Sequence, residues 1–341
     1  MGYGRTEQPM AAAATIALLA VAAYPIGSPL KPWTAAEYAA WRAQTTVHRS
    51  YRQEVLSIVA ALTPPFCKLE YGILTDGSLP LVAVRNEWLR DRPCVLITGG
   101  VHGYETSGVR GALEFLRSEG ERYAKRFNLL VVPCVSPWSY ERKQRWNAAA
   151  IDPNRSFRSD GVSTDGRDDA VEPAEESVAL KSLLESCATE RWLAHIDLHE
   201  TSDADEVEFR PAAAARDGEL VVEEHVPDGF YLVADAPARA LLMDVTAEHP
   251  EWLDSIISAV AKVTHIASAD EYGQIGGMPL VQNGVVTAPT RSLGLCSSVT
   301  NAEYSVTTEV NPDSPHIRSE EECTAAQVAA LVAALDALNH D

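Results

Sequence analysis

The sequence is short of cations, and that shortage is its first informative feature. Lys and Arg number 28 against 48 Asp and Glu, a formal net charge of −20. A chain this acidic repels nucleic acid and anionic membrane surfaces, so neither is expected as a partner. No apolar run is long enough to cross a bilayer; the nearest, Ala11–Ala23, falls well short. Six cysteines are present and none forms a Cys-x-x-Cys pair, which removes the usual zinc-ribbon and dithiol redox motifs. Also missing are a Gly-x-Ser-x-Gly elbow, a Gly-x-x-x-x-Gly-Lys phosphate loop, a His-Glu-x-x-His helix and an aromatic-basic stripe for RNA. Aromatic residues make up only 7% of the chain, yet apolar content is 46%, enough for a sizeable core and against global disorder.

What is present alternates. Helical patterns at 34–43 and 51–62 precede a hairpin around Asp76-Gly77. Apolar strand-like runs follow at Cys94–Thr98, Asn128–Cys134, Trp192–Leu198, Gly229–Ala234, Val285–Ala288 and Tyr304–Val310. Between and after them lie helical stretches from Ser107, at Glu175–Ser186, within 240–264 and at Glu320–Leu338. Residues 138–172 are polar with little periodicity and read as a long functional loop. The pattern predicts a single α/β domain, with a twisted, mixed but mostly parallel sheet and helices on both faces. That domain spans 24–341, with 1–23 as a leader or an N-terminal extension. The expected compartment is the cytoplasm, or a secreted or periplasmic location if 1–23 is a cleaved signal peptide. Most of the cysteines read as reduced structural thiols, with an even count that leaves disulfides open.

Three strand ends carry chemistry. After Cys94–Thr98 come Gly99, Gly100, His102 and Glu105, an imidazole and a carboxylate three residues apart where a strand hands over to a helix. In an open α/β sheet, ligands bind outside the carboxyl ends of strands. Trp192–Leu198 ends in His199, with Asp197 on the same side as an orienting partner. Two His and one Glu form the ligand set of several hydrolytic zinc sites. In the late strand, Glu309 stands in a β-branched run, where an unpaired carboxylate is costly; beside an activated water it reads as a general base. Between these segments, the scarce cations cluster at Arg142, Lys143, Arg145 and Arg155. Guanidinium forks suit carboxylate recognition.

The ordered set of His-x-x-Glu, Arg-x-Asn…Asp-x-Asn-Arg-x-Phe, Asp-Leu-His and Thr-x-Glu resembles the zinc metallocarboxypeptidase family of the carboxypeptidase A type, over roughly 90–312. The resemblance is to the small, prodomain-free bacterial members. It implies one zinc per chain, held by His102, Glu105 and His199, with Glu309 as general base and then proton donor. Arg145 would polarise the scissile carbonyl, with Arg142 as the alternative. Asn154 and Arg155 would hold the substrate's free C-terminal carboxylate. A tyrosine over the substrate would be Tyr272 or, second, Tyr304. Arg291 would favour an acidic C-terminal residue or serve only as a surface arginine. The implied activity is hydrolysis of a C-terminal peptide bond by metal-activated water. Two alternatives stand beside it: a zinc-dependent deacylase of N-acyl amino acids, similar to aspartoacylase and succinylglutamate desuccinylase, and a non-catalytic relic that keeps zinc or carboxylate binding. In the two enzymatic readings the substrate carries a free carboxylate, as a peptide or an acyl amino acid.

Overall fold

A computed structural model describes residues 24–165, 172–187, 191–221, 225–236 and 247–338. The proposed leader at 1–23 and the start of the 240–264 helical stretch lie outside the described residues. In chain order the elements begin with α1 (Ala35–Gln44), a π-helical turn at Arg52–Leu56 and α2 (Ser57–Ala61). Next come the hairpin β1 (Cys67–Ile73) and β2 (Pro80–Arg85), then β3 (Cys94–Gly99), α3 (Thr106–Ser118), α4 (Gly120–Ala124) and β4 (Asn128–Val132). Then follow α5 (Pro137–Arg142), α6 (Glu175–Ser186), β5 (Trp192–Leu198), α7 (Arg210–Asp217) and β6 (Phe230–Asp235). The chain continues through α8 (Pro250–Val260), β7 (Gln274–Ile275), β8 (Met278–Gln282), β9 (Val285–Ala288), α9 (Thr290–Leu293), β10 (Tyr304–Val310) and α10 (Glu320–Ala337).

The strands form one sheet in the order β1-β2-β4-β3-β5-β10-β6-β9-β8-β7. Its centre, β4-β3-β5-β10, is parallel, and antiparallel pairs flank it on both sides. Every residue of β3 and of β4 is buried, as strands covered on both faces must be. Side-chain alternation sorts them into two cores. Val95, Ile97, Leu129 and Val131 pack with Leu113 of α3 and Leu331 of α10. Leu96, Leu130 and Val132 pack with Leu180 and Leu183 of α6 on the opposite face.

This topology positions the site. From β3 the chain passes through α3 to β4 on one side, and later returns through α6 to β5 on the other. The sheet order therefore diverges at β3, and the crevice beside its carboxyl end is where such sheets bind ligands. Because β3, β5 and β10 are successive neighbours, the ends that carry His102, His199 and Glu309 lie side by side. Register fixes the levels: Thr98 faces Asp197, Thr307 also faces Asp197, and Glu309 pairs with Tyr231 of β6.

Of the stretch 138–172, residues 138–165 are more regular than their polarity predicts. α5 takes its first residues, started by Pro137 at the first helical position and anchored by buried Trp138 and Tyr140. At six residues it is too short to show a helical period. A 3₁₀ turn at Pro153–Arg155 follows, N-capped by the Asp152 carboxylate. The helical segment 205–217 also escaped the sequence reading, since its acidic start and alanine-rich body show no apolar stripe. The glycine-rich stretch 273–277 folds into the β7–β8 hairpin. All six cysteines are free thiols. Among the described residues, no helix is long and apolar enough to cross a membrane.

α3 lies hard against the strand that delivers His199. A Cβ on Gly108 would sit 2.4 Å from the carbonyl oxygen of Leu198, a backbone atom that cannot swing away. Gly108→Ala is therefore expected to destabilise the fold by about 1–3 kcal/mol, the usual cost of overpacking. A urea midpoint equal to wild type would show that this contact does not constrain the helix.

Candidate metal centre and substrate cavity

The turn between β3 and α3 is compressed. A Cβ on Gly103 would lie 2.0 Å from the carbonyl carbon of Ser139, so only glycine lets 102–105 pass under α5. Glu105 occupies the N-cap position of α3, yet its side chain does not cap the helix. Glu200 does so instead, accepting from the backbone N–H groups of Thr106 (3.1 Å) and Ser107 (2.5 Å). That substitution frees the Glu105 carboxylate to turn toward the histidines.

Glu105 Oε1 lies 2.6 Å from His102 Nδ1, and Glu105 Oε2 lies 2.7 Å from His199 Nδ1. All three side chains are almost fully buried. The other ring nitrogens are occupied: His102 Nε2 is 3.0 Å from Asp152 Oδ1, and His199 Nε2 is 2.9 Å from Asp197 Oδ2. A carboxylate facing Nε2 holds the proton there and turns the Nδ1 lone pair toward Glu105. Two imidazole lone pairs and a carboxylate then converge, and Glu105 Oε2 is left without a properly directed hydrogen bond. The three ligand atoms lie within 4.8 Å of one another. Buried donors with no proton to share among them fit a divalent cation, and the His₂Glu set fits zinc. Without a cation the cluster stays electrostatically coupled. Burial works against charge on every member. Even so, Glu105 and Asp197 hold His199 well above its ordinary pKa, and the histidines hold Glu105 below the usual carboxylate range.

Beside this centre lies a cavity of about 500 Å³, lined by His102, Glu105, Arg145, Asn154, Arg155 and Glu309 among others. The structure thus brings those residues of the sequence reading to one place, with His199 buried against Glu105 and outside the cavity lining. The arginines that line the cavity are not equivalent. Arg145 is engaged by Asp152 (3.0 Å) and Asp205 (3.2 Å). Arg216 is clamped by Asp165 and Asp217 at 2.8 Å each. Arg155 donates only to the carbonyl of Asn154 (2.8 Å), and no described carboxylate lies within ion-pair distance of it. Burial pulls its pKa down, which marks a guanidinium short of a counter-charge. Asn154 accepts the Cys296 N–H through Oδ1 (2.7 Å), which leaves its amide N–H groups for the cavity.

Glu309 accepts a hydrogen bond from Thr201 Oγ1 at 2.8 Å, and the Tyr231 hydroxyl lies 2.9 Å from the same Thr201 oxygen. Burial pushes the Glu309 pKa up to about 7, with the nearby Glu105 adding to the rise and His199 and the Thr201 hydrogen bond opposing it. A carboxyl poised there takes and returns a proton near neutrality.

Tyr272 does not belong to this site. It is 77% exposed, at the outer end of a tight turn held by Asp270, and does not line the cavity. Tyr304 packs against His249 and Trp252, elsewhere on the molecule. The tyrosines that line the cavity are Tyr104 and Tyr231. Arg142 stacks on Trp138, 4.5 Å from its ring centroid, and Arg291 is taken up by Asp235 and Asn301. The sequence reading also missed Asp152, which bridges His102 and Arg145, and Gln327 of α10, which donates to the His199 carbonyl and accepts from Thr308. Asp152 stood inside the quoted motif without a role. Gln327 carried only the faint signal of a lone amide on an alanine-rich helix.

Residues 91–221 match the model of the succinylglutamate desuccinylase/aspartoacylase catalytic domain. No curated protein matches the sequence. Among solved structures, a candidate metallopeptidase from Shewanella amazonensis SB2B aligns with a TM-score of 0.60 at 21% identity, covering 86% of this chain and 98% of that one. A metallo-carboxypeptidase from Burkholderia cenocepacia aligns at 0.51 and 16%, covering 89% and 69%. The carboxypeptidase A from Helicoverpa armigera aligns at 0.53 and 13%, covering 91% and 75%. The chain has the zinc carboxypeptidase-like fold, and fold and domain match together support a metal-dependent hydrolase.

Thr201→Val removes a hydrogen bond that favours the charged form of Glu309. The acidic limb of the kcat/KM profile is expected to move to higher pH, because the carboxylate is then harder to ionise. A profile superimposable on wild type would detach Thr201 from the titrating group.

Proposed function

We propose that this protein is a zinc-dependent metallocarboxypeptidase that hydrolyses the peptide bond next to a free C-terminal carboxylate. The observation that carries the reading is Arg155, the cavity guanidinium with no carboxylate partner among the described residues, set beside Asn154 and within the same cavity as the His102–Glu105–His199 cluster. An anionic substrate group supplies the missing counter-charge, and a guanidinium with an adjacent amide donor suits a carboxylate.

A divalent cation held by His102, Glu105 and His199 would supply Lewis acidity there, enough to lower the pKa of a bound water to about 7. Glu309 takes the proton as water adds to the scissile carbon, then delivers it to the leaving nitrogen as the C–N bond breaks. Its pKa near 7 suits both transfers. Arg145, held in place by Asp152 and Asp205, directs its charge at the carbonyl oxygen; a donor so fixed is typically worth on the order of 3 kcal/mol.

A second reading, a zinc-dependent deacylase of N-acyl amino acids, is favoured by the domain match over 91–221. It uses the same residues, because an N-acyl amino acid also presents a carboxylate to Arg155. The two readings differ in the acyl side of the amide, which is tested by assaying zinc-loaded protein on N-blocked dipeptides and on short-chain N-acyl amino acids. Turnover of the dipeptides is expected; cleavage confined to the acyl amino acids would replace the peptidase reading with the deacylase.

Glu309→Gln should retain stoichiometric zinc and lose hydrolysis by at least about 100-fold, the low end for general acid–base catalysis. Near wild-type kcat in this variant would remove Glu309 from the reaction. Arg155→Ala should raise KM for free-carboxylate substrates far more than for their amides, and equal effects on both would refute its assigned role.

A further inference from the structure

A second group of metal-ligating side chains lies outside the cavity. Asp228, His265 and His316 come from three separate segments and place one ligand atom each within 4.8 Å of the others. The backbone builds this convergence. Gly229, at φ +117°, lets the chain pass so close to the 265–267 segment that a Cβ there would lie 2.9 Å from His265 Cδ2. The Phe230 N–H donates to the His265 carbonyl at 2.8 Å, and Ala267 returns a bond to Phe230. The third segment is the turn after β10, where the Ser314 N–H donates to the Asn311 carbonyl at 3.2 Å.

Within the group, Ser314 Oγ donates to Asp228 Oδ1, which turns Oδ2 toward His316 Nε2 at 3.4 Å. Two ligands on a tetrahedral zinc with bonds of about 2.1 Å are separated by about that distance. The His265 and His316 ring centroids lie 4.5 Å apart with their planes tilted by 40°, close enough for both imidazoles to serve one cation. His316 and Asp228 are exposed enough, at 57% and 42% of their side chains, for an ion to enter from solvent.

We propose that Asp228, His265 and His316 form a second binding site for a divalent transition cation, zinc or a similar borderline metal, completed by water. Two imidazoles and one carboxylate select such ions over calcium and magnesium. The site ties the 227–229 segment to the turn following β10. Pro227 lines the substrate cavity, its carbonyl accepts from Asn311 Nδ2 at 2.9 Å, and Asn311 is two residues beyond Glu309. The cation is a staple at the rim of the cavity and takes no part in bond cleavage.

The test is the zinc stoichiometry of untagged protein after equilibrium dialysis against micromolar zinc. Wild type is expected to hold two zinc ions per chain. His265→Ala/His316→Ala should hold one, and His102→Ala/His199→Ala should hold one. Asp228→Asn should lose the same equivalent as the first pair, and it serves in that pair's place should the double variant not fold. A wild type whose single zinc is lost in His102→Ala/His199→Ala overturns the proposal, as does a His265→Ala/His316→Ala or Asp228→Asn protein that holds as many as wild type.

Discussion

A buried carboxylate between two buried imidazoles is the constraint on which this structure depends. Glu105 bridges His102 and His199, all three nearly fully buried, and each imidazole is backed by a further carboxylate. Three desolvated acids around two histidines would be a poor core without a positive charge at their centre. The surrounding elements serve that centre. β3 and β5 bring its members together, Glu200 relieves Glu105 of capping duty, and Gln327 of α10 ties the His199 carbonyl to β10. Glu200 and Gln327 thus link the centre to the packing of α3 and α10.

The unusual acidity of the chain also has a local meaning. The run from Glu200 to Asp205 looks like surplus charge, yet Glu200 caps α3, Thr201 holds Glu309, and Asp205 receives Tyr104 and Arg145. Asp152 and Asp205 pair with Arg145, Asp165 and Asp217 pair with Arg216, and Arg155 is left without a carboxylate within ion-pair distance among the described residues. The acids thereby leave Arg155 as the cavity cation to which the proposed substrate carboxylate would bind.

Much of this could be read in the sequence. The strands that carry the site are long apolar runs with abrupt polar ends, and β3, β5 and β10 appear close to where they were expected. His102, Glu105 and His199 converge because their strands are neighbours, a relation the order of motifs implied without proving. What escaped has physical reasons. α5 and the helix that ends with α7 are short and lack an apolar stripe, so periodicity does not reveal them. Tyr272 stands beside the glycines of 273–277, which fold a tight hairpin and leave it turned to solvent. The linking role of Asp152 depends on tertiary contacts across 50 residues to His102, which no local pattern encodes.

The most direct measurement is an anomalous-difference map at the zinc edge from crystals of the protein loaded with zinc. A peak bonded to His102, Glu105 and His199, with light-atom ligands at about 2.0–2.2 Å, is the predicted result. Zinc-loaded crystals with no peak at this cluster, and with Glu105 simply ion-paired to its two histidines, would contradict the account at its root.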